Sequence, residues 1–498
     1  MAVVVVADPA ITVQPTAITQ CIGGTSALSL TATGGTPSLT YQWYSNASNA
    51  NSGGTIISGA TSSSYTPPST SAGTIYYYCI ISATGNGCNP VTSDVVAVTI
   101  LADPSISSQP VGFTECIDGT RSLSVTATGG TPSLTYQWYR NTTSSTSGAT
   151  LIASATNASY TPPSTGAGLT YYYCIVSASG NGCTSITSSI VLVTVVADPT
   201  ITVQPTAITQ CIGGTYALSV TATGGTPSLT YQWYSNASNA NSGGSVITGA
   251  TSSTYTPSSL VAGTVYYYCV VSASGDGCAS ATSNAVAVIV QTTPTAGTIG
   301  SDQTICSGGD PAAFTNIASA TGDGAITYIW QSSLNNSSWS PISSATSATY
   351  DPPSNLTTTT YYRRVATSTL NGNACSVNSD PVLVTVNPIP TVNTISNQVV
   401  CVDQQFSAIT FSGTVTSTVY NWTNNNTNTG LASSGTGNVA AFTATNLTNA
   451  AIVSTVVVTP IYTNNSVSCT GSTKSFTLTV NPKATIANKT VSTCSGTG

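Results

Sequence analysis

The chain has 498 residues, of which only 4% are charged, with seven Lys and Arg, thirteen Asp and Glu, and no His. A net charge of −6 leaves no dense cationic face, which excludes nucleic acid and disfavours an anionic membrane surface as partners. Low charge alone would fit disorder, but 40% of the residues are hydrophobic and they alternate with polar ones. No stretch approaches the ~20 apolar residues of a membrane helix, so we expect no membrane span.

The chain opens with Met-Ala-Val-Val-Val-Val-Ala-Asp-Pro, which lacks the basic region and the long apolar run of a signal peptide. Ala-Asp-Pro recurs at residues 102–104 and 197–199. Because proline fixes φ and has no backbone donor, we interpret this tripeptide as a short, stiff linker between repeated units.

The first unit predicts a series of short strands. Leu28, Leu30 and Ala32 share one face of a half-buried strand after a turn at Cys21, and Leu39, Tyr41 and Trp43 share one face of the next strand. Further strands are predicted at residues 55–57, 63–66, 75–82 and 91–100. No helical period is visible, and about seven strands in 95 residues predict an antiparallel β-sandwich.

Cysteine recurs every 95 residues, which shows that one module is repeated. The cysteines are Cys21, Cys116, Cys211, Cys306 and Cys401, followed by Cys494 after 93 residues. About 100 residues can close a core of their own, so each repeat is a domain. We expect the end of a preceding module at 1–6, modules 1 to 5 at 7–101, 102–196, 197–290, 291–386 and 387–482, and the start of a truncated module 6 at 483–498.

The residues resemble known domains. Trp43, followed by Tyr77, Tyr78 and Cys79, is similar to strands C and F of an immunoglobulin-like (Ig-like) domain, although the strand-B cysteine is missing and Ala32 is its expected equivalent. The tryptophan recurs, and we expect a core Trp in each module: Trp43, Trp138, Trp233, Trp330 and Trp422.

A second resemblance is to the Ig-like and PKD-like repeats of giant secreted adhesins of Bacteroidota, the group that includes the gliding adhesin SprB. The motifs that carry it are Cys-x-Gly-Gly, Gly-Gly-Thr-Pro-Ser-Leu-Thr-Tyr-Gln-Trp and Ile-x-Gly-Ala-Thr-x-x-x-Tyr, while module 5, with Asn421-Trp422-Thr423, resembles the PKD-like variant. The resemblance implies tandem Ig-like β-sandwich modules in a row, secretion, and a role in attachment or gliding.

The regular cysteines indicate an oxidising compartment and a disulfide framework. Modules 1 to 3 have three cysteines and modules 4 and 5 have two, so the first and last are present in every module. We therefore predict one disulfide inside each module, closing a loop of about 70 residues. The predicted pairs are Cys21–Cys88, Cys116–Cys183, Cys211–Cys278, Cys306–Cys375 and Cys401–Cys469.

This scheme leaves Cys79, Cys174, Cys269 and Cys494 unpaired. For the first three, the sequence leaves open a buried thiol that packs as a small hydrophobe, a cross-link between chains, or an exchange of partner with Cys88. Arg364 replaces this cysteine in module 4, which favours a position that is not deeply buried there.

Catalysis is not expected. Without histidine the chain lacks the commonest general base, Glu115 is its only glutamate, and no carboxylate pair recurs. We expect no cofactor and no metal; Asp8, Asp103 and Asp198 leave open a calcium ion at the linkers, but a single aspartate before a proline is more simply a turn.

We therefore expect a non-catalytic extracellular stalk or filament of a large bacterial surface adhesin, in contact with neighbouring modules of the same longer chain. Two alternatives stay open. One is an array that binds extracellular polysaccharide or a surface receptor, for which the runs of three tyrosines at 76–78, 171–173 and 266–268 offer stacking faces. The other is a fibre subunit with homotypic contacts.

Overall fold

The structure is a computed structural model that describes residues 3–485. Within this range the chain forms 46 β-strands, and its single helical segment is a 3-10 turn at Thr427–Thr429. The prediction of tandem Ig-like β-sandwich modules is confirmed. Cys494 and most of the predicted module 6 lie outside the described residues, and we keep the module numbers of the sequence analysis for the rest.

Ten strands recur in each of the first three modules. In module 1 they are β1 (Ala10–Val13), β2 (Ile18–Cys21), β3 (Leu28–Ser29), β4 (Thr31–Thr33), β5 (Leu39–Asn46), β6 (Thr55–Ile56), β7 (Ser64–Tyr65), β8 (Gly73–Ala83), β9 (Val91–Thr92) and β10 (Val96–Leu101). In module 2 they are β11 (Ser105–Ser108), β12 (Phe113–Cys116), β13 (Leu123–Ser124), β14 (Thr126–Thr128), β15 (Leu134–Asn141), β16 (Thr150–Leu151), β17 (Ser159–Tyr160), β18 (Gly168–Ala178), β19 (Ile186–Thr187) and β20 (Val191–Val196).

The strands of module 3 are β21 (Thr200–Val203), β22 (Ile208–Cys211), β23 (Leu218–Ser219), β24 (Thr221–Thr223), β25 (Leu229–Asn236), β26 (Ser245–Val246), β27 (Thr254–Tyr255), β28 (Gly263–Ala273), β29 (Ala281–Thr282) and β30 (Val286–Gln291). The predicted last strand at 91–100 is in fact two strands, because Ser93 interrupts it: its hydroxyl accepts a hydrogen bond from the Cys79 N–H at 2.9 Å and donates one to Asp94 O at 2.9 Å.

Modules 4 and 5 have eight strands each. They are β31 (Thr298–Ile299), β32 (Gln303–Cys306), β33 (Asn316–Ala318), β34 (Ala325–Ser333), β35 (Ser340–Pro341), β36 (Thr360–Leu370), β37 (Asn373–Asn378) and β38 (Val382–Asn387) in module 4. They are β39 (Gln398–Cys401), β40 (Gln405–Phe406), β41 (Val419–Asn424), β42 (Ser434–Thr436), β43 (Phe442–Thr443), β44 (Ile452–Asn464), β45 (Val467–Thr470) and β46 (Lys474–Asn481) in module 5.

The chain divides into two compact units. The first comprises Met1–Thr206, Ala217–Tyr255 and Val265–Ala287, and the second comprises Ala207–Tyr216, Thr256–Thr264 and Val288–Gly498. Modules 1 and 2 therefore lie in the first unit and modules 4 and 5 in the second. The strands of module 3 are shared between the units, with the β25–β28 ladder in the first and the β22–β30 ladder in the second.

The large sheet has the same strand order in modules 1, 2, 4 and 5. In module 1 the order is β2-β10-β8-β5-β6, and the equivalent orders are β12-β20-β18-β15-β16, β32-β38-β36-β34-β35 and β39-β46-β44-β41-β42. Strand β2 pairs in parallel with β10, whereas β8 runs antiparallel to both β10 and β5. The short antiparallel pairs β1–β4 and β3–β7 complete the sandwich.

This topology places the first and last cysteines of a module at opposite poles. The parallel register sets Cys21 beside Leu101, the last residue of β10, at the pole where the chain leaves the module. The loop after β8 lies at the other pole, where both the backbone N–H and the side-chain amide of Asn89 donate to Asp8 at 3.2 Å. Because β10 has six residues, the two poles are about 20 Å or more apart.

Each module has a tryptophan at the centre of its core. Trp43, Trp138, Trp233 and Trp330 are fully buried and Trp422 is 7% exposed. Each indole N–H donates to a backbone carbonyl, as Trp43 does to Ser62 O at 2.9 Å. In module 1 this ring packs with Leu28, Tyr77 and Cys79, which come from both layers. The apolar alternation of the sequence is therefore what holds the two layers together.

Module 4 has a charged residue at the equivalent core position. Arg364 pairs with Trp330, as Cys79 pairs with Trp43, and is fully buried, so the expectation of a less buried site was wrong. Its guanidinium donates to Asn316 Oδ1 at 2.8 Å, to Ala348 O at 2.6 Å and to Ala296 O at 2.7 Å. These acceptors replace the water that the charge loses.

We predict that Arg364→Ala destabilises module 4 by roughly 2–4 kcal/mol, because it leaves a cavity and three unpaired buried acceptors. The control is Arg363→Ala, since Arg363 is only half-buried, with its guanidinium 4.2 Å from the Trp339 ring, and we expect a loss below ~1 kcal/mol. Calorimetric unfolding of the full chain measures both, and equal effects would contradict this role for Arg364.

Candidate functional site: the junctions between modules

The disulfides join modules to one another. Each one links the first cysteine of a module to the last cysteine of the next module, 162 to 164 residues further on. The pairs are Cys21–Cys183, Cys116–Cys278, Cys211–Cys375 and Cys306–Cys469. The first two lie in the first compact unit and the other two in the second. We number these junctions 1 to 4 in chain order.

The predicted pairing inside modules, which was Cys21–Cys88, Cys116–Cys183, Cys211–Cys278, Cys306–Cys375 and Cys401–Cys469, was therefore wrong. The physical reason is the parallel pairing of β2 with β10, which puts the two cysteines of one module at opposite poles. A disulfide needs Cα atoms within about 7 Å, and in the observed bonds they are 4.8 to 5.7 Å apart. Cys88 and Cys401 have no disulfide partner among the described residues.

Junctions 1 and 2 are built from a loop and a turn. At junction 1 the loop after β18 meets the turn after β2: the Cys21 N–H donates to Asn181 O at 2.9 Å, and the Asn181 amide donates to Ser26 Oγ at 2.8 Å. Gly182 lies directly against the backbone of Gly24, so a Cβ on Gly182 would collide with it. Gly277 lies in the same way against Gly119 at junction 2.

Junctions 3 and 4 use a β-hairpin in place of the loop. At junction 3 the hairpin β36–β37 turns at Asn371, whose amide donates to Thr209 Oγ1 at 3.1 Å, while the Gln291 amide donates to Asn373 O at 3.1 Å.

Junction 4 repeats these contacts. In the hairpin β44–β45 the Asn465 amide donates to Thr304 Oγ1 at 3.3 Å. The Asn387 amide donates to Asn464 O at 3.0 Å. Equivalent side chains therefore bind equivalent hairpins.

Junction 2 contains the only glutamate of the chain. Glu115 is fully buried, its Oε2 accepts a hydrogen bond from the Arg121 N–H at 3.2 Å, and its Oε1 has no hydrogen-bond partner. Burial raises the pKa of the Glu115 carboxyl above its ordinary value, and the nearby Asp276 carboxylate raises it further, against the Arg121 N–H, which lowers it. Gln20 and Gln210, the equivalent residues of modules 1 and 3, are uncharged and also buried.

The third cysteine of modules 1 to 3 is a buried thiol. Cys79, Cys174 and Cys269 are fully buried and have no disulfide partner. Burial raises the pKa of each thiol to about 11. A neutral, inaccessible thiol neither attacks disulfides nor binds metal, so these residues act as core hydrophobes.

The linker aspartates hydrogen-bond within their own modules. Asp8 accepts from Asn89, Asp103 from Thr184 at 2.8 Å, and Asp198 from the Ala279 N–H at 3.3 Å. In residues 3–485 no three His, Cys, Asp or Glu side chains come close enough together to hold a metal ion. Nor does any helix in that range have the length and apolarity to cross a bilayer.

The tyrosine runs are mostly occupied by contacts inside their modules. Tyr77 packs in the core, and Tyr78 is buried with its ring stacked on Tyr44 at 5.1 Å. The Tyr78 hydroxyl also accepts a hydrogen bond from the Gly54 N–H at 3.0 Å. Only Tyr76 of this run is partly exposed, so the run does not form a continuous face on which a sugar could stack.

The comparisons with known proteins give a family without a known function. A family model described as "Domain of unknown function (DUF8696)" matches residues 10–102, 201–292 and 295–388, which is more than half of the chain. The chain belongs to this family. Among curated proteins, none matches the sequence.

Three solved structures illustrate the similarity of fold. An I-band fragment of titin is 14% identical over 57% of this chain and 99% of its own, with a TM-score of 0.32. Sidekick-1 immunoglobulin domains 1–5 are 16% identical over 95% of this chain and 99% of their own, at 0.22. The eight N-terminal Ig domains of Down Syndrome Cell Adhesion Molecule are 14% identical over 95% of this chain and 61% of their own, at 0.30. At such scores these similarities support no argument about function.

We predict that Glu115→Gln stabilises the chain at neutral pH. Because the folded state raises the pKa of this carboxyl, ionisation opposes folding, and stability falls as pH rises from the unfolded pKa near 4.3 through the higher folded value. At pH 7 we expect an increase of about 2–4 °C in the melting temperature, as for ~1 kcal/mol, and no increase below pH ~4.

The matched control is Gln20→Glu at junction 1, which should lower the melting temperature at pH 7 and have little effect at pH ~4. Differential scanning calorimetry of both variants at the two pH values provides the measurement. An equal response to pH in Glu115→Gln and the unmodified chain would show that the Glu115 carboxyl is not the cause.

Proposed function

We propose that the chain is a non-catalytic, load-bearing part of an extracellular structural or adhesive protein, in which the disulfides carry tension from module to module. By the resemblance of its repeats, we assign it to the stalk or filament of a large bacterial surface adhesin with a role in attachment or gliding. The observation that supports this proposal is the interleaving of the disulfides: each bond begins before the previous one has closed.

Interleaved bonds give the chain several covalent routes between its ends. The shortest route follows the disulfides through about 145 residues, whereas the chain has 498. At 3.3–3.6 Å per extended residue, unfolding every module would extend the oxidised chain to only ~500 Å, against ~1,700 Å after reduction. Tension therefore cannot draw out most of the chain while the disulfides last.

The interleaving also tolerates damage. Loss of any one of the four bonds lengthens the shortest route by no more than about 30 residues, or ~100 Å, because a neighbouring disulfide takes over. One bond inside each module would instead release the whole of its own loop, 67 residues from Cys21 to Cys88. Redundancy of this kind suits a protein under repeated load.

The chemistry of the chain supports a place outside the cell. Four disulfides persist in an oxidising compartment, and a chain with 4% charged residues has few surface groups that respond to salt or pH. A polysaccharide-binding array is less well supported, because Tyr77 and Tyr78 are already in contact with their own module.

We predict that the chain, pulled by its two ends in a single-molecule force experiment, reaches a limit near ~500 Å when oxidised and near ~1,700 Å in excess reductant. Cys21→Ser, which opens only junction 1, should add about 100 Å to the oxidised limit. Cys79→Ser is the control and should leave that limit unchanged, since Cys79 has no disulfide partner. An oxidised limit as long as the reduced one would refute the load-bearing role.

A further inference from the structure

Two halves of a junction have no counterpart among the described residues. One is the loop of module 1 that contains Cys88, and the other is the turn of module 5 that begins at Cys401. A Cβ on Gly87 would meet nothing within 4 Å, although the equivalent Gly182 lies against Gly24 of the neighbouring module. Cys401 is exposed, whereas Cys21 and Cys116 at the closed junctions are fully buried.

The closed junctions show what each kind of turn accepts. At junction 1 a Cβ on Gly24 would lie 2.8 Å from Asn181 O of the incoming loop, so this position must be glycine. At junction 4 a Cβ on the equivalent Gly309 would meet only Cys306 and Ile305 of its own module, and no atom of the hairpin within 3.7 Å. A side chain at this position therefore excludes a loop and admits a hairpin.

The last residue of the final strand distinguishes the same two classes. It is apolar at the junctions that take a loop, Leu101 and Val196, and an amide at those that take a hairpin, Gln291 and Asn387. Both amides donate to a backbone carbonyl of the hairpin, at 3.1 and 3.0 Å.

Module 5 has both features of the hairpin class. Gln404 occupies the position of Gly24 and Gly309, and Asn481, beside Cys401 in the parallel register, occupies that of Gln291 and Asn387. We propose that the Cys401 turn and Asn481 form a docking site for a further Ig-like module of the hairpin class, with a cysteine that bonds to Cys401. The Asn481 amide would bind a carbonyl of that hairpin.

The same features exclude a second copy of this chain as the partner through its Cys88. Module 1 presents a Gly-Asn-Gly-Cys loop like that of module 2, and Gln404 would collide with the Asn86 carbonyl where Gly24 leaves room for that of Asn181. The chain therefore does not extend itself head to tail through these two cysteines. This inference extends the proposed linkage of modules to a partner, but its tests depend on bond pairing and not on force, so each can fail separately.

The first experiment tests the matching rule within the full chain, with the same substitution at two junctions. Gly24→Gln should open Cys21–Cys183 and raise alkylation of both thiols at least ~10-fold, whereas Gly309→Gln should leave Cys306–Cys469 intact. Circular dichroism and the other three disulfides report whether each variant is folded. Survival of Cys21–Cys183 in folded Gly24→Gln, or loss of Cys306–Cys469 in folded Gly309→Gln, would overturn the rule.

The second experiment tests the choice of partner. The oxidised chain, concentrated in a glutathione buffer, should form no Cys88–Cys401 bond between copies, as seen by mass spectrometry of non-reduced digests. The double variant Gln404→Gly with Asn481→Leu, which converts module 5 to the loop class, should form this bond and give a ladder of oligomers. The control is Gln404→Ala with Asn481→Leu, which keeps a Cβ and should remain monomeric. A ladder from the unmodified chain, or none from the double variant with glycine, would overturn the assignment.

Discussion

The arrangement depends on the parallel pairing of the second strand of each module with its last strand. In module 1 this register fixes Cys21 beside Leu101, at the pole from which the chain passes to the next module. The antiparallel course of β8 carries the other paired cysteine position to the opposite pole. A module with this topology cannot close its own disulfide, yet it presents one cysteine to each neighbour. Covalent linkage between modules thus follows from strand order.

The junctions combine this covalent bond with a tight, polar fit. Glycine backbones pack against each other where a loop meets a turn, as Gly182 does with Gly24, and amide side chains bind hairpin carbonyls where a hairpin replaces the loop. The buried Gln20 and Gln210 show that this position tolerates a polar group, and Glu115 makes one junction sensitive to pH. Chemical matching at each interface sets which kind of module can follow.

Much of the fold could be predicted from the sequence because it is local. The alternation of Leu28, Leu30 and Ala32 gives a strand, and Trp43 gives a core centre, whatever the neighbours do. The disulfide pairing could not be predicted from spacing alone, since 67 residues to Cys88 and 162 to Cys183 are both allowed loops. The Ig-like strand order was the available signal, because a parallel first-to-last pairing already separates the two poles. Burial of Arg364 was missed because its acceptors, Asn316 among them, are distant in sequence.

The most direct test of this account is a map of the native disulfides. The oxidised chain would be digested with pepsin at low pH, where thiol exchange is slow, and the linked peptides identified by mass spectrometry. We expect Cys21 linked to Cys183, Cys116 to Cys278, Cys211 to Cys375 and Cys306 to Cys469, with Cys79, Cys174 and Cys269 recovered as thiols. Recovery of Cys21 linked to Cys88, and of the matching pairs inside other modules, would contradict the central claim that disulfides join neighbouring modules.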